Sequence, residues 1–190
     1  RDISTLSEKE KEAGIVACSA GNHAQGVSLA AERMGINATI CMPDGAPISK
    51  VEATKSYGAK VKLVKGTYDD AYTYAKKLCD EEHATFIHPF DDPDVIAGQG
   101  TIGLEILEQL ENVDAIVVPI GGGGLIAGLA YAVKSLKPDI KIYGVQAREA
   151  ASMADSLKYD EQITLLTVNT FADGIAVKHP GDLTFSLIRQ

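Results

Sequence analysis

Short apolar segments alternate with amphipathic segments along almost the whole chain. This alternation is typical of βαβ units, in which helices connect the parallel strands of one sheet. Strands of such a sheet are covered on both faces and are therefore rich in Ile and Val. Segments of this kind are Gly14–Cys18, Ala38–Met42, Lys60–Val64, Thr85–His88, Ala115–Ile120 and Lys141–Gln146. Apolar residues at three- and four-residue spacing predict helices over His23–Met34, Pro47–Tyr57, Tyr68–Glu82, Val95–Leu110, Leu125–Leu136, Glu149–Leu157 and Leu183–Arg189. We therefore predict an α/β fold of open parallel sheets with helices on both faces.

A domain boundary is predicted near the middle of the chain. The segment His88–Pro93 contains two prolines and two aspartates between a predicted strand and a predicted helix. Such segments commonly connect domains. The last predicted helix runs almost to Gln190, so we expect the protein to continue beyond that residue.

The charge of the chain excludes some classes of partner. The 18 Lys and Arg residues against 26 Asp and Glu residues give a net charge of -8, opposite to what binding to nucleic-acid phosphates or an anionic membrane requires. No apolar run approaches the roughly 20 residues of a membrane span, and the first residues do not resemble a signal peptide. Three cysteines, Cys18, Cys41 and Cys79, suit reduced thiols better than a disulfide framework. We expect a soluble cytoplasmic protein that binds neither nucleic acid nor membrane.

Four successive glycines, Gly121–Gly124, connect a predicted strand to a predicted helix. Without Cβ atoms their N–H groups can approach an anion closely, and the helix N-terminus adds a positive dipole end. A phosphate group fits such a loop, although a flexible turn is the simpler alternative. Gly122, Gly124 and Ala127 also match the dinucleotide pattern G-x-G-x-x-A, whose ribose partner is an acidic residue about 20 positions later. Gln146 is a weak partner of that kind, while the nearby Arg148 leaves an NADP-type site open.

A second strand-to-helix loop, Cys18–His23, also carries polar groups. Its N–H groups could bind a carboxylate while Asn22 donates to a ring oxygen. Two alternatives stay open: a simple helix cap made by Ser19 or Asn22, and a hydrolase nucleophile elbow around Ser19, with Asp173 and His179 following in the hydrolase order. Both loops follow strands, at the sheet edge where open parallel sheets bind ligands.

Several short strings occur in the order and approximate spacing of one known family. They are S-A-G-N-H-A-Q-G-V at Ser19–Val27, H-P-F-D-D-P at His88–Pro93, I-A-G-Q-G-T-I-G-L-E at Ile96–Glu105, V-P-I-G-G-G-G-L-I-A-G at Val118–Gly128 and A-D-G-I-A-V-K at Ala172–Lys178. On these residues the chain resembles the fold-type II pyridoxal-phosphate enzymes, and most closely the threonine dehydratase branch, which also contains serine racemase.

The resemblance implies a cofactor, a reaction and a set of site residues. The cofactor is pyridoxal 5'-phosphate, whose phosphate would bind to Gly121, Gly122, Gly123 and Gly124, and whose ring would contact Asn22 and Gly174. The substrate carboxylate would bind to Ser19, Ala20, Gly21, Asn22 and His23. The implied reaction removes water from L-threonine; hydrolysis of the enamine then releases ammonia and 2-oxobutanoate, or pyruvate if the substrate is serine.

The chain departs from the racemase pattern at two places, and the first of them favours dehydration. Serine racemase resembles this chain but has a second serine at the position of Ala20, and a methyl group cannot transfer a proton to the opposite face of the substrate. The racemase also has acidic metal ligands where Gln146 and Ser152 stand, so no metal site is expected. The histidines show no metal-ligand spacing either.

The Schiff-base lysine of the family lies upstream of the S-x-G-N-H string, and nothing in residues 1–17 matches its motif. Lys9 and Lys11 belong to a charged run that predicts an exposed segment. No catalytic residue is therefore assigned, and we expect this chain alone to be inactive, with N- and C-terminal parts of the enzyme missing. The resemblance implies a small domain at residues 14–89, with residues 1–13 and 90–190 in a larger cofactor-binding domain of a homo-oligomer. A non-catalytic module that binds phosphate or a nucleotide remains the alternative.

Overall fold

The computed structural model describes residues 3–190 and confirms the predicted α/β fold. Its strands are β1 Ile15–Cys18, β2 Ala38–Pro43, β3 Lys60–Val64, β4 Thr85–Phe86, β5 Ala115–Pro119 and β6 Lys141–Val145. Its α-helices are α1 Glu8–Ala13, α2 Asn22–Met34, α3 Ile48–Ser56, α4 Tyr68–Glu82, α5 Pro93–Gln109, α6 Gly124–Leu136, α7 Ser152–Tyr159 and α8 Asp182–Ile188. Short 3-10 turns lie at Ile3–Thr5, Arg148–Ala150 and Asp173–Ile175.

The predicted helix over Glu149–Leu157 is interrupted in the structure. Residues Arg148–Ala150 form a 3-10 turn, and α7 begins only after Ala151, whose ψ of 39° is not helical. Gln146 stabilises this break because its Oε1 accepts the Ala154 N–H at 2.8 Å and its Nε2 donates to the Ala150 carbonyl at 3.1 Å. A side chain outside the periodic segment therefore moves the helix start, which periodicity alone did not predict.

The chain divides into two compact units, with the boundary between Pro89 and Phe90. In the first unit four parallel strands lie in the order β3-β2-β1-β4. Ile3 and Leu6 pack in the core of this unit. The assignment of residues 1–13 to a larger domain of the whole protein stays a prediction.

Strand β1 shows why the first sheet is covered on both faces, as predicted. All four of its residues are buried. Ile15 and Ala17 pack in the core that includes α2 and α3 side chains, whereas Val16 and Cys18 pack with side chains of α4. Successive side chains of a strand point to opposite faces, so an apolar residue at every position requires a helix layer on each side.

The second unit contains the parallel pair β5-β6. Val118 and Ile120 pack with Ile126 and Leu129 of α6, and α5 packs against α6. Val117 and Tyr143 on these two strands are 65% and 51% exposed in residues 3–190.

Among residues 3–190, no helix combines the length and the apolar character that crossing a membrane would require.

Candidate functional site

The four-glycine loop lies between the end of β5 and the start of α6. Gly123 is the N-cap residue of α6 and has a φ of +103°, in the region that favours glycine. Within residues 3–190, no side chain caps this helix, and the N–H groups of Gly121–Gly124 donate to no other backbone group. Unsatisfied N–H groups at a helix N-terminus attract anions. The loop therefore has the donors that a phosphate group needs.

Three of the four glycines are packed closely against other residues of the second unit. A Cβ atom on Gly122 would collide with the ring of Phe90, and one on Gly124 would lie 2.9 Å from the Phe90 carbonyl oxygen. A Cβ atom on Gly123 would lie 2.8 Å from both Met153 Cε and Thr184 Cβ. Gly122, Gly123 and Gly124 are buried. Close neighbours therefore require glycine at these three positions.

Gly174 lies beside this loop. It belongs to the 3-10 turn Asp173–Ile175, and a Cβ atom on Gly121 would be 3.3 Å from Ile175 Cα and 3.7 Å from the Gly174 carbonyl oxygen. Gly174 itself is exposed. The structure brings this residue next to the four glycines although 50 residues separate it from Gly124.

The second candidate loop connects β1 to α2 in the first unit. The Ser19 N–H donates to the Cys41 carbonyl at 3.2 Å, and the Ser19 hydroxyl accepts the Gly21 N–H at 3.2 Å. Helix α2 begins at Asn22, and Gly21 caps it with no side-chain hydrogen bond. The interpretation that Ser19 or Asn22 caps this helix is therefore wrong: the serine hydroxyl is used within the loop, and the side chain of Asn22 is exposed.

His23 connects the second loop to the end of strand β4. Its Nε2 lies 3.2 Å from the carbonyl oxygen of Ile87. Because a carbonyl oxygen only accepts hydrogen bonds, Nε2 carries the proton and donates it. Burial lowers the pKa of the His23 imidazole from its usual 6.5. A neutral ring with the proton on Nε2 therefore holds the start of α2 against the residue that follows β4.

This pKa shift predicts a pH dependence of stability. Because the pKa of His23 is lower in the folded state, the unfolded state binds more protons once the pH falls below about 6.5. The free energy of unfolding is expected to decrease as the pH falls from about 7 to 5. Glutamine does not titrate, so His23→Gln should lack the part of this decrease that comes from His23. Urea unfolding of the unsubstituted protein and of His23→Gln at each pH measures the difference. Identical pH profiles of the two proteins would contradict the prediction.

The residues named in the hydrolase, dinucleotide and metal interpretations take part in local hydrogen bonds. His179, the proposed hydrolase base, has its Nδ1 2.8 Å from the Thr164 hydroxyl, and Ser19 is bonded to Gly21 as described. Gln146, the weak ribose partner, forms hydrogen bonds with the backbone of Ala150 and Ala154 at the start of α7. Ser152 donates its hydroxyl to the Val177 carbonyl at 3.0 Å. Residues 3–190 contain no group of three His, Cys, Asp or Glu side chains arranged to hold a metal ion.

Three residues that contact the four-glycine loop were not predicted. They are Phe90, Met153 and Thr184, and Thr184 donates its hydroxyl to the Gly122 carbonyl at 2.6 Å. Phe90 lies in the segment interpreted as a domain connection. Nothing local in the sequence identifies these residues, since each reaches the loop through tertiary packing.

Comparison with known proteins shows the family of this chain. The family described as pyridoxal-phosphate dependent enzyme matches residues 3–190. Over 188 residues the chain is similar to the L-threonine ammonia-lyase of Thermotoga maritima, at 53% identity, with 99% of this chain and 47% of that protein covered. It is 50% identical over 188 residues to the catabolic L-threonine dehydratase of Escherichia coli (strain K12), with 99% and 57% covered. The chain spans about half the length of the curated relatives it matches.

Solved structures show the same similarity. The processed form of threonine deaminase isoform 2 from Solanum lycopersicum superposes with a TM-score of 0.94 at 46% identity, covering 98% of this chain and 52% of that one. Maize serine racemase superposes with a TM-score of 0.93 at 40% identity, covering 99% and 57%.

Proposed function

Because this chain belongs to the family of pyridoxal-phosphate dependent enzymes, we propose that the whole protein is a threonine ammonia-lyase, also called a threonine dehydratase. Such an enzyme converts L-threonine to 2-oxobutanoate and ammonia. The observation that carries the proposal is the pair of helix N-termini, at α2 and α6, that have glycine N-caps and no side-chain cap within residues 3–190. They occur in a chain about half identical to two enzymes named for this reaction.

The residues of the second unit fit the phosphate of the cofactor. The loop Gly121–Gly124 offers N–H groups without acceptors in residues 3–190, and α6 adds its positive dipole end. We propose that these four glycines hold the phosphate and that the backbone of Gly174 borders the ring. When bound, pyridoxal phosphate supplies an electron sink for the electron pair left at the substrate Cα.

The residues of the first unit fit the substrate and the cofactor ring. We propose that the loop Ser19–His23 binds the substrate carboxylate through the N–H groups of Ala20, Asn22 and His23. The N–H groups of Ser19 and Gly21 already donate to the Cys41 carbonyl and the Ser19 hydroxyl and so shape the loop. The position of the loop at the N-terminus of α2 supports this carboxylate site, because N–H donors and the helix dipole stabilise a bound carboxylate. The exposed amide of Asn22 can donate a hydrogen bond to the phenolic oxygen of the cofactor.

A serine racemase-like activity is the second candidate, favoured by the similarity to maize serine racemase. Ala20 argues against it. A methyl side chain neither accepts nor donates a proton, so Ala20 provides no acid or base on its side of a substrate held by this loop. We therefore infer that elimination, which needs proton transfer on one face, is the main reaction.

The test uses the whole protein supplied with pyridoxal phosphate. L-threonine should be converted to 2-oxobutanoate, measured as the hydrazone, with little D-allothreonine formed from L-threonine and little D-serine formed from L-serine. Asn22→Ala should lower kcat/KM by about 10-fold or more, since a hydrogen bond to a charged group is lost. Glu32→Ala, an exposed substitution near the other end of α2, serves as the matched control and should retain activity.

Absence of both cofactor absorbance and 2-oxo acid from the unsubstituted protein would disprove the proposed function. Racemisation faster than elimination would favour the second candidate. Binding of pyridoxal phosphate without turnover of any amino acid would support a non-catalytic module instead.

We further propose that the whole protein is a cytoplasmic homo-oligomer in which residues 14–89 form a small domain. The cytoplasmic location is supported by three free, buried cysteines, which suit a reducing compartment. Sedimentation of the whole protein would test the oligomeric state.

A further inference from the structure

The carbonyl group of Gly122, in the middle of the four-glycine loop, is held by two donors from the start of α8. The Thr184 hydroxyl donates to it at 2.6 Å, and the Gly181 N–H donates at 3.2 Å. Thr184 is fully buried. The same hydroxyl oxygen lies 3.1 Å from the Gly181 carbonyl, so the shorter contact identifies Gly122 as the main acceptor.

Holding this carbonyl also orients an N–H group. The peptide bond between Gly122 and Gly123 is planar and trans, so its C=O and N–H point in opposite directions. With the Gly122 oxygen fixed toward α8, the Gly123 N–H must point away from α8. A run of glycines has many accessible backbone conformations, and the two hydrogen bonds select one of them.

Asp91 fixes the start of α8 and therefore the position of Thr184. Its Oδ1 accepts the N–H groups of Leu183 at 2.9 Å and Thr184 at 3.1 Å, and its Oδ2 accepts the N–H of Asp182 at 3.1 Å. A carboxylate at this position satisfies the N–H groups of the first turn and complements the helix dipole. A Cβ atom on Gly181 would collide with the Asp91 carboxylate, so the contact is a close one.

We propose that Thr184 and Asp91 are positioning residues for phosphate binding: Asp91 anchors the start of α8, and the Thr184 hydroxyl turns the Gly122–Gly123 peptide so that its N–H is available to an anion. Neither residue is a catalytic residue. The proposal rests on the proposed function in one respect, namely that the anion is the phosphate of pyridoxal phosphate.

The experiment measures cofactor binding by the whole protein rather than its activity. Thr184→Val keeps the shape of the side chain and removes the hydroxyl, whereas Thr184→Ser keeps the hydroxyl. We expect the dissociation constant for pyridoxal phosphate to rise about 10-fold in Thr184→Val and to stay within about 2-fold of the unsubstituted protein in Thr184→Ser. Binding of pyridoxal, which lacks the phosphate, should be the same in all three proteins.

A second variant keeps the test decisive if Thr184→Val does not fold. Thr184→Ala leaves a small cavity instead of an apolar group facing the Gly122 oxygen, and it should show the same selective loss. Asp91→Asn should also weaken binding of pyridoxal phosphate but not of pyridoxal, since an amide offers one acceptor oxygen where the carboxylate offers two.

Three results would overturn the proposal. Unchanged affinity for pyridoxal phosphate in folded Thr184→Val and Thr184→Ala would show that the hydroxyl does not shape the loop. Equal weakening of pyridoxal and pyridoxal phosphate would show a general structural role. Failure of the unsubstituted protein to bind pyridoxal phosphate would disprove the proposed function as well, and so the two failures are distinguishable.

Discussion

Gly123→Ala is expected to weaken binding of pyridoxal phosphate by the whole protein at least about 100-fold, equivalent to about 2.7 kcal/mol. Gly123 has a φ of +103°, where a side chain is strained by about 1–3 kcal/mol. Its Cβ atom would also lie 2.8 Å from Met153 Cε and from Thr184 Cβ and Oγ1. The Thr184 N–H donates to Asp91 and its hydroxyl donates to the Gly122 carbonyl. Because these hydrogen bonds hold Thr184 in place, the glycine loop itself has to move. The measurement is a titration of the apoprotein by absorbance.

Gly35→Ala is the matched control for this prediction. Gly35 also has a positive φ, +66°, but a Cβ atom there would meet nothing within 4 Å. It ends α2 in the left-handed conformation, and alanine should cost about 1 kcal/mol of stability. Affinity for pyridoxal phosphate should be unchanged. Tight binding by a folded Gly123→Ala protein would contradict the proposed role of the loop.

Gly128→Ala is expected to destabilise the second unit by about 3 kcal/mol or more, because it separates α5 from α6. A Cβ atom on Gly128 would overlap the Ile96 carbonyl oxygen and lie 2.8 Å from the backbone nitrogen of Gly100. Both are backbone atoms of α5, which cannot rotate away as a side chain can. The whole helix would have to shift. Urea unfolding followed by circular dichroism measures the loss.

Gly98→Ala tests whether this effect comes from the contact rather than from the substitution itself. Gly98 lies on the same helix as Gly100, is exposed, and a Cβ atom there would meet nothing within 4 Å. Alanine is favoured over glycine inside a helix by about 1 kcal/mol, so this variant should be as stable as the unsubstituted protein or more stable. Equal effects of the two substitutions would show that the close approach of the helices is not what requires glycine.

Much of the fold follows from local pattern. Strand Lys60–Val64 and helix Tyr68–Glu82 have the predicted bounds, and the other predicted strands end within about two residues of the observed ones. Apolar spacing predicts the bounds of strands and helices because each element buries one face or both faces, and the buried positions recur with the period of that element. The break at Ala151 was not predictable in this way, since it depends on the hydrogen bonds of Gln146.

The loops that form the candidate site were also recognisable. Gly121–Gly124 and Ser19–His23 stand where a strand becomes a helix, and their composition leaves backbone N–H groups accessible. The residues that fix each loop by hydrogen bonds could not be recognised from the sequence. Thr184 is 62 residues from Gly122, and Ile87 is 64 residues from His23.

The sequence by itself determined the order of strands and helices, the parallel α/β architecture, the family and the two loops with accessible N–H groups. These properties depend on residues that are neighbours in the chain, so periodicity, glycine content and short strings report them. Only the tertiary structure decided which peptide of the four-glycine loop is fixed, which glycines meet backbone atoms, and which histidine nitrogen carries the proton. Each of these depends on a contact between segments distant in sequence, and such contacts exist only after the helices have packed on the sheets.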